Sequence, residues 1–230
     1  MHILLLGATG RNGTHILSHL LSHSHTVTAL LRIPSSLPPT PNLTLIPGSP
    51  LSLTDIQTAF STPRAPDAVI IALNPRRLSD SPFAALHPET PEFLMRDSVR
   101  NVISAVRSST SGSSQTTKIV VNSMQGSGPS RSSLNLPVRL MMDHTNMKHT
   151  LADHDAVDAL LRSEEARGVN WVLVRPPMLT DGDALPVRVF PDDGRGASWM
   201  PRITRASLAA FMVDAVERPD WDGQGPVVTN

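Results

Sequence analysis

A chain of 230 residues, 40% of them hydrophobic, is long enough to bury a substantial core and fits one α/β domain with room for a small appended lobe. Lysine plus arginine (20) balances aspartate plus glutamate (20), so no bulk charge argues for nucleic acid or an anionic membrane as partner. Cysteine is absent, which excludes disulfides, zinc–thiolate centres and thiol nucleophiles; tyrosine is absent too, and there are 21 prolines.

His2-Ile3-Leu4-Leu5-Leu6 is an unbroken apolar run ending at a glycine, as in a parallel strand covered on both faces. Ile16, Leu17, Leu20 and Leu21 then mark one face of a helix over Arg11–Ser22. Thr26–Leu31 and Leu43–Ile46 read as strands, separated by a stretch rich in proline and serine. A short helix is expected over Ser52–Phe60 and a buried strand over Ala68–Leu73. Twelve of the prolines fall between Pro34 and Pro91, so elements there must be short. Phe93, Leu94, Val99, Val102, Ile103 and Val106 line a helix over Pro91–Arg107. The Ser/Thr/Gly-rich stretch Ser108–Thr117 reads as a linker. Lys118–Asn122 is a fifth strand, Thr150–Arg167 a helix and Trp171–Val174 a sixth strand. Ser207–Glu217 reads as a last helix and Pro226–Thr229 as a last strand. Strands alternating with helices predict a doubly wound parallel sheet. The segment from Asp181 to Arg205, rich in Gly, Pro and charge, fits no core element and is expected to form a small C-terminal lobe or lid over a substrate. Strand-like sequence begins at His2 without a signal-peptide pattern, and no apolar run approaches about 18 residues, so a soluble, cytoplasmic protein is expected.

Between the first strand and first helix stands Gly7-Ala8-Thr9-Gly10-Arg11-Asn12-Gly13. In that context Gly7 allows a tight turn, Gly10 lets backbone approach a pyrophosphate at the helix N-terminus, and Gly13 lets the helix pack close to the sheet. The spacing is G-x-x-G-x-x-G; the standard dehydrogenase pattern has a glycine where Thr9 stands. These features predict a single Rossmann-type domain over residues 1–230 that binds a nicotinamide dinucleotide through Gly7, Thr9, Gly10, Arg11, Asn12 and Gly13. An acidic residue about 20 positions past the loop would bind the ribose hydroxyl of NAD. Here the second strand ends in Arg32, with no Asp or Glu nearby, and a guanidinium suits a 2′-phosphate, so NADP(H) is the expected cofactor. Leu73 and Asn74, following the fourth strand, are expected beside it.

The sequence resembles the atypical short-chain dehydrogenase/reductases of the NmrA-like and biliverdin-reductase-B (flavin reductase) type. Gly7–Gly13 is similar to that group's GATGxxG loop, and Val27–Arg32 to its second strand with an NADP-binding arginine. Asp97–Ile103 resembles its fourth helix, Arg175-Pro176-Pro177-Met178-Leu179 the Arg-Pro segment that closes over the nicotinamide, and Ile203–Ala209 the start of its last helix. The resemblance implies that Pro176 and Met178 contact the cofactor. It also exposes a departure, because standard members protonate the substrate with the tyrosine of a Tyr-x-x-x-Lys motif, and this chain has no tyrosine. Counting back from Arg175, those two positions fall near Thr150 and His154.

His154, in Ala152-Asp153-His154-Asp155, resembles a histidine-bearing segment of the biliverdin-reductase-B branch. It is a candidate proton donor, with an aspartate such as Asp158 setting its tautomer. His144 and Lys148 offer a second register. Ser123, at the end of the fifth strand, stands where the family's active-site serine does. His19, His23 and His25 cluster in sequence without a neighbouring carboxylate and are expected to form a solvated face, so no metal is expected. The reading that follows is an NADPH-dependent reductase of a small aromatic or conjugated molecule, catalysed with Ser123 and His154, and monomeric or homodimeric. Its rivals are a redox-neutral isomerase or cyclase of secondary metabolism and a non-enzymatic NmrA-like cofactor sensor.

Overall fold

A computed structural model describes residues 1–79, 81–109 and 117–230. Six parallel strands form the central sheet: β1 (His2–Leu6), β2 (Thr26–Leu31), β3 (Leu43–Pro47), β4 (Ala68–Ile71), β5 (Lys118–Asn122) and β6 (Asn170–Val174). Their order is β3-β2-β1-β4-β5-β6. That is the doubly wound arrangement, with the direction of winding reversing between β1 and β4, where such sheets open a ligand crevice at the strands' carboxyl ends.

Alternation along each strand assigns the helices to two faces. Ile3 and Leu5 point to one side, where α1 (Arg11–Ser22) and α6 (Arg205–Glu217) bury Ile16, Leu20, Phe211 and Met212. Leu4 and Leu6 point to the other, against Ile56 of α2 (Leu53–Ser61), Met95, Val99 and Val102 of α3 (Leu94–Ser109), and Val157 of α5 (Met147–Leu161). Full burial of each large side chain contributes roughly 1.5–3 kcal/mol, and both faces of the sheet are closed in this way.

Several elements differ from expectation. A further helix, α4 (Leu136–His144), precedes α5, and Asn135 caps it by accepting from the Val138 N–H at 3.0 Å. The helix expected over Thr150–Arg167 starts at Met147 and stops at Leu161, and a 3-10 turn follows at Glu164–Ala166. The strand expected over Pro226–Thr229 exists as β10 (Val227–Thr229) but lies outside the central sheet. It pairs antiparallel with β8 (Arg188–Phe190), while β7 (Met178–Thr180) pairs with β9 (Arg202–Thr204). These two small ladders organise the segment from Asp181 to Arg205. Of the serine-rich linker, residues 110–116 lie outside the described residues. Among the described residues no helix is long and apolar enough to cross a membrane.

Candidate functional site

The glycine loop divides into structural and open positions. Gly7 has φ +89°, and a Cβ there would sit 2.5 Å from the Ala72 carbonyl oxygen. A Cβ on Gly13 would sit 1.9 Å from the Gly7 carbonyl oxygen. Gly10 is different: its φ is −75°, and a Cβ would meet the Gly7 oxygen at 3.3 Å. Gly10 begins α1 without a side-chain cap, so the first N–H groups of the helix stay available to an anion.

Three adjoining cavities follow the carboxyl edge of the sheet. The first is bordered by Gly7, Thr9, Leu31, Arg32, Gly48, Leu73 and Asn74, with Arg76, His87 and Glu89 on its far side. Arg32 is exposed there. Leu73, Asn74 and Arg76 also border the second cavity, together with Gly10, Arg11, Asn12, Arg77, Asn122 and Arg205. Four arginines thus line this cavity, with no carboxylate among its described lining residues; the Arg205 guanidinium pairs with Asp181, and that of Arg77 donates to the Ser81 carbonyl. The side-chain oxygens of Asn12 and Asn122 are buried there without a hydrogen-bond partner, and a ligand donor such as a ribose hydroxyl or a carboxamide N–H would relieve that cost. Bare glycine backbone, an uncapped helix and a ring of arginines suit a pyrophosphate.

Met147 joins the second cavity to the third, a chamber of about 260 Å³ bordered by Met124, Met141, Met142, Pro176, Pro177, Met178, Trp199 and Met200. Pro176 and Met178, expected at the cofactor, therefore face this chamber, while their neighbour Leu179 borders the second cavity. The polar side chains in its wall are already engaged. Gln125 Nε2 donates to Ser133 Oγ at 2.8 Å, and Asn135 Nδ2 donates to the Trp199 carbonyl at 2.6 Å.

Ser123 and His154 are brought together. Ser123 Oγ lies 3.3 Å from His154 Nδ1 and 3.2 Å from Ser127 Oγ. Both are buried, at 4% and 3% exposure, and neither borders the three cavities. Burial pushes the His154 imidazole down to about 4, so the ring is neutral near pH 7. Asp158 does not orient it: that carboxylate pairs with the fully buried Arg175 at 2.5 Å and with Arg162 at 3.1 Å. The other acids of α5 are anchors too. Asp153 accepts the Met95 and Arg96 N–H groups at the start of α3 (2.8 and 3.0 Å), and Asp155 accepts the Gly128 N–H at 2.8 Å. Burial raises both carboxyls above their ordinary range, opposed by those N–H groups. The alternative pair, His144 and Lys148, is exposed to solvent.

Asn122 and Gly48 are site residues beyond those expected, although Asn122 ends β5 and Gly48 follows β3, where a crevice forms. Met147, Arg205 and the chamber residues of α4 carry no such local signal. Together the glycine loop, the switch point beside it and the arginine-lined cavity define a Rossmann-type nicotinamide-dinucleotide-binding protein. The profile of the NAD(P)H-binding family matches residues 7–219. The chain belongs to that family. No curated protein matches it. Among solved structures it is similar to the anaerobillin reductase ChuY of Escherichia coli O157:H7 (16% identity, TM-score 0.72, 100% of this chain and 97% of that one). It is also similar to the oxidoreductase ylbE of Lactococcus lactis (16%, 0.71, 100% and 91%) and to a Rossmann-fold NAD(P)-binding protein of Shigella flexneri (19%, 0.65, 100% and 93%). At these identities the likeness establishes the fold.

Proposed function

We propose that this protein is an NADPH-dependent reductase of a small, uncharged, flat conjugated molecule. The observation that carries the reading is the apolar chamber that opens beside the dinucleotide groove across Met147, with no titratable side chain in its described wall. Methionine, proline and tryptophan surfaces accommodate a planar apolar ligand, and the two amides in the wall each already donate a hydrogen bond within the protein. A bound nicotinamide supplies the hydride. Acceptors such as quinones, flavins or enones spread the added charge by conjugation and take their proton from water, so a protein acid is dispensable. An isomerase or epimerase would instead require a base at the reacting carbon. The ChuY comparison supports the reading to the extent that the same fold carries reductase chemistry there.

Arg32, beside Arg76 and His87 in the first cavity, supports NADPH over NADH. Ser123 is flanked by Asn122, which borders the dinucleotide cavity, and Met124, which borders the chamber. In this reading Ser123 and His154 position those two neighbours, and the segment from Asp181 to Arg205 serves as a substrate lid through Trp199 and Met200.

The test is a fluorescence titration with NADPH and NADH, followed by NADPH oxidation over a panel of quinones, flavins and enones. The expected result is tighter NADPH binding and turnover of at least one acceptor class, with a blue shift of Trp199 emission as the acceptor binds. NADPH binding without consumption across the whole panel would remove the reductase reading.

A further inference from the structure

The three clustered histidines lie at the edge of the fold opposite the cavities, where the sequence alone places no carboxylate. The fold brings one there. Glu217, the last residue of α6, directs Oε1 at His25 Nε2 (2.8 Å) and His23 Nδ1 (3.3 Å). One ligand atom from each of the three residues lies within 4.8 Å of the other two. His19 stands one helical turn before His23 on α1, with ring centroids 4.3 Å apart. We propose that His23, His25 and Glu217 form a binding site for a divalent first-row metal ion of the zinc type, with the fourth position open to water or His19.

The donor set is chemically apt. Two imidazoles and one carboxylate are a common zinc ligand set, with metal–donor bonds of about 2.0–2.2 Å that place donors about 3.3 Å apart in a tetrahedron. Of the separations from the Glu217 oxygen, 3.3 Å to His23 matches that value and 2.8 Å to His25 is shorter, so small side-chain adjustments seat the ion. The frame is also fixed in advance. His23 caps the end of α1, His25 immediately precedes β2, and Glu217 ends α6; α1 and α6 pack against each other through the core on this face of the sheet. His25 is itself buried, at 5% exposure, so one ligand is held in place by its surroundings. Without metal, the imidazoles are the hydrogen-bond partners of Glu217. The other ring nitrogen of His25, Nδ1, lies 3.2 Å from the Met1 nitrogen.

The site lies at the start of β2, whereas Arg32 follows the end of that strand. The metal would therefore clamp two helix ends and a strand without touching the dinucleotide groove. Its function is a structural staple.

The experiment is isothermal titration of chelator-treated, tag-free protein with Zn2+, paired with thermal unfolding. The expected result is one saturable Zn2+ per chain, a melting temperature raised by about 5 °C or more at 100-fold excess over Kd, and unchanged NADPH affinity. His23→Ala and Glu217→Gln should each weaken Zn2+ binding at least about tenfold. His23 is exposed, so its variant retains the fold and keeps the test valid. Failure to bind one equivalent, or wild-type affinity in both variants, would overturn the assignment.

Discussion

Replacing Gly13 and Gly10 by alanine, one at a time, separates two demands that the glycine loop satisfies. At Gly13 the new methyl would lie 1.9 Å from the Gly7 carbonyl oxygen and 2.8 Å from its carbon, so α1 must withdraw from the loop by more than an ångström. The helical preference of alanine over glycine returns about 1 kcal/mol, while forcing an atom into packed backbone costs about 1–3 kcal/mol and sometimes more. Because this overlap is with main chain that cannot rotate away, the cost should exceed that usual range, at about 3–4 kcal/mol, which leaves a net loss of about 2–3 kcal/mol. In a chain of this size that lowers the melting temperature by about 4–12 °C. At Gly10 the backbone already has an ordinary φ, and the methyl meets the Gly7 oxygen at 3.3 Å. Loss of a good N-cap residue and restriction of the unfolded chain nearly cancel, each about 0.5–1 kcal/mol. Stability should therefore hold, while the methyl obstructs the backbone approach to the pyrophosphate and weakens NADPH by about tenfold or more. Thermal unfolding without cofactor and fluorescence titration with it read the two effects separately. A Gly13→Ala variant as stable as wild type, or a Gly10→Ala variant with full NADPH affinity, would refute the division of roles.

Arg32→Ala should raise the Kd for NADPH about 10–100-fold, the value of one or two charge-assisted hydrogen bonds, and leave NADH within about twofold; equal losses would sink the 2′-phosphate assignment. His154, with its pKa pushed down to about 4 in the folded protein and an ordinary value of 6.5, makes folding acid-sensitive. As pH falls below about 6.5 the unfolded chain takes up a proton that the folded chain excludes, so stability falls until about pH 4. Urea denaturation at pH 7 and pH 5 should show that His154→Gln lacks about 2 kcal/mol of the wild-type loss between them; Asp153 and Asp155, whose raised carboxyls act with the opposite sign, are common to both proteins. Arg175→Met should destabilise by about 3–5 kcal/mol, since it leaves the buried Asp158 with only the more exposed Arg162 as partner, and adding Asp158→Asn should recover part of that loss. Strict additivity of the two changes would refute the coupling.

The parts legible in the sequence are those governed by local periodicity. Runs such as His2–Leu6 and Ala68–Ile71 are buried on both faces and announce themselves by unbroken apolarity. Gly7 and Gly13 follow from a backbone need that no other residue meets. What escaped depends on contacts distant in sequence. The three-residue strands β7, β8 and β9 have no period to detect, and their pairing is decided by partners up to about 40 residues away. Leu136–His144 opens with a proline one residue in and leaves Leu136 and Leu140 exposed, so its helix lacks an apolar stripe facing a core. Ser123 and His154 are each expected at the site, but neither their contact nor the depth at which they lie is legible in the sequence, because burial of α5 is set by α3 and the 3-10 turn it packs against. Glu217 reaches His25 across 192 residues, a meeting no local reading supplies.

The two sides of the apolar chamber are built with unequal stiffness. On one side α5 is pinned by three carboxylates to three different elements, and Arg175 ties the following strand to it. On the other, α4 buries a single residue, Met142, and Trp199 stands 70% exposed. The arrangement is that of a vice with one fixed and one yielding jaw. Regions with few buried contacts open at low free energy, so molecules of different girth would be accommodated by movement of α4 and the Trp199 segment while the dinucleotide side keeps its shape. The range of ligand sizes would then be tuned at Val138, Met141 and Trp199, which border the chamber, and not at the glycine loop.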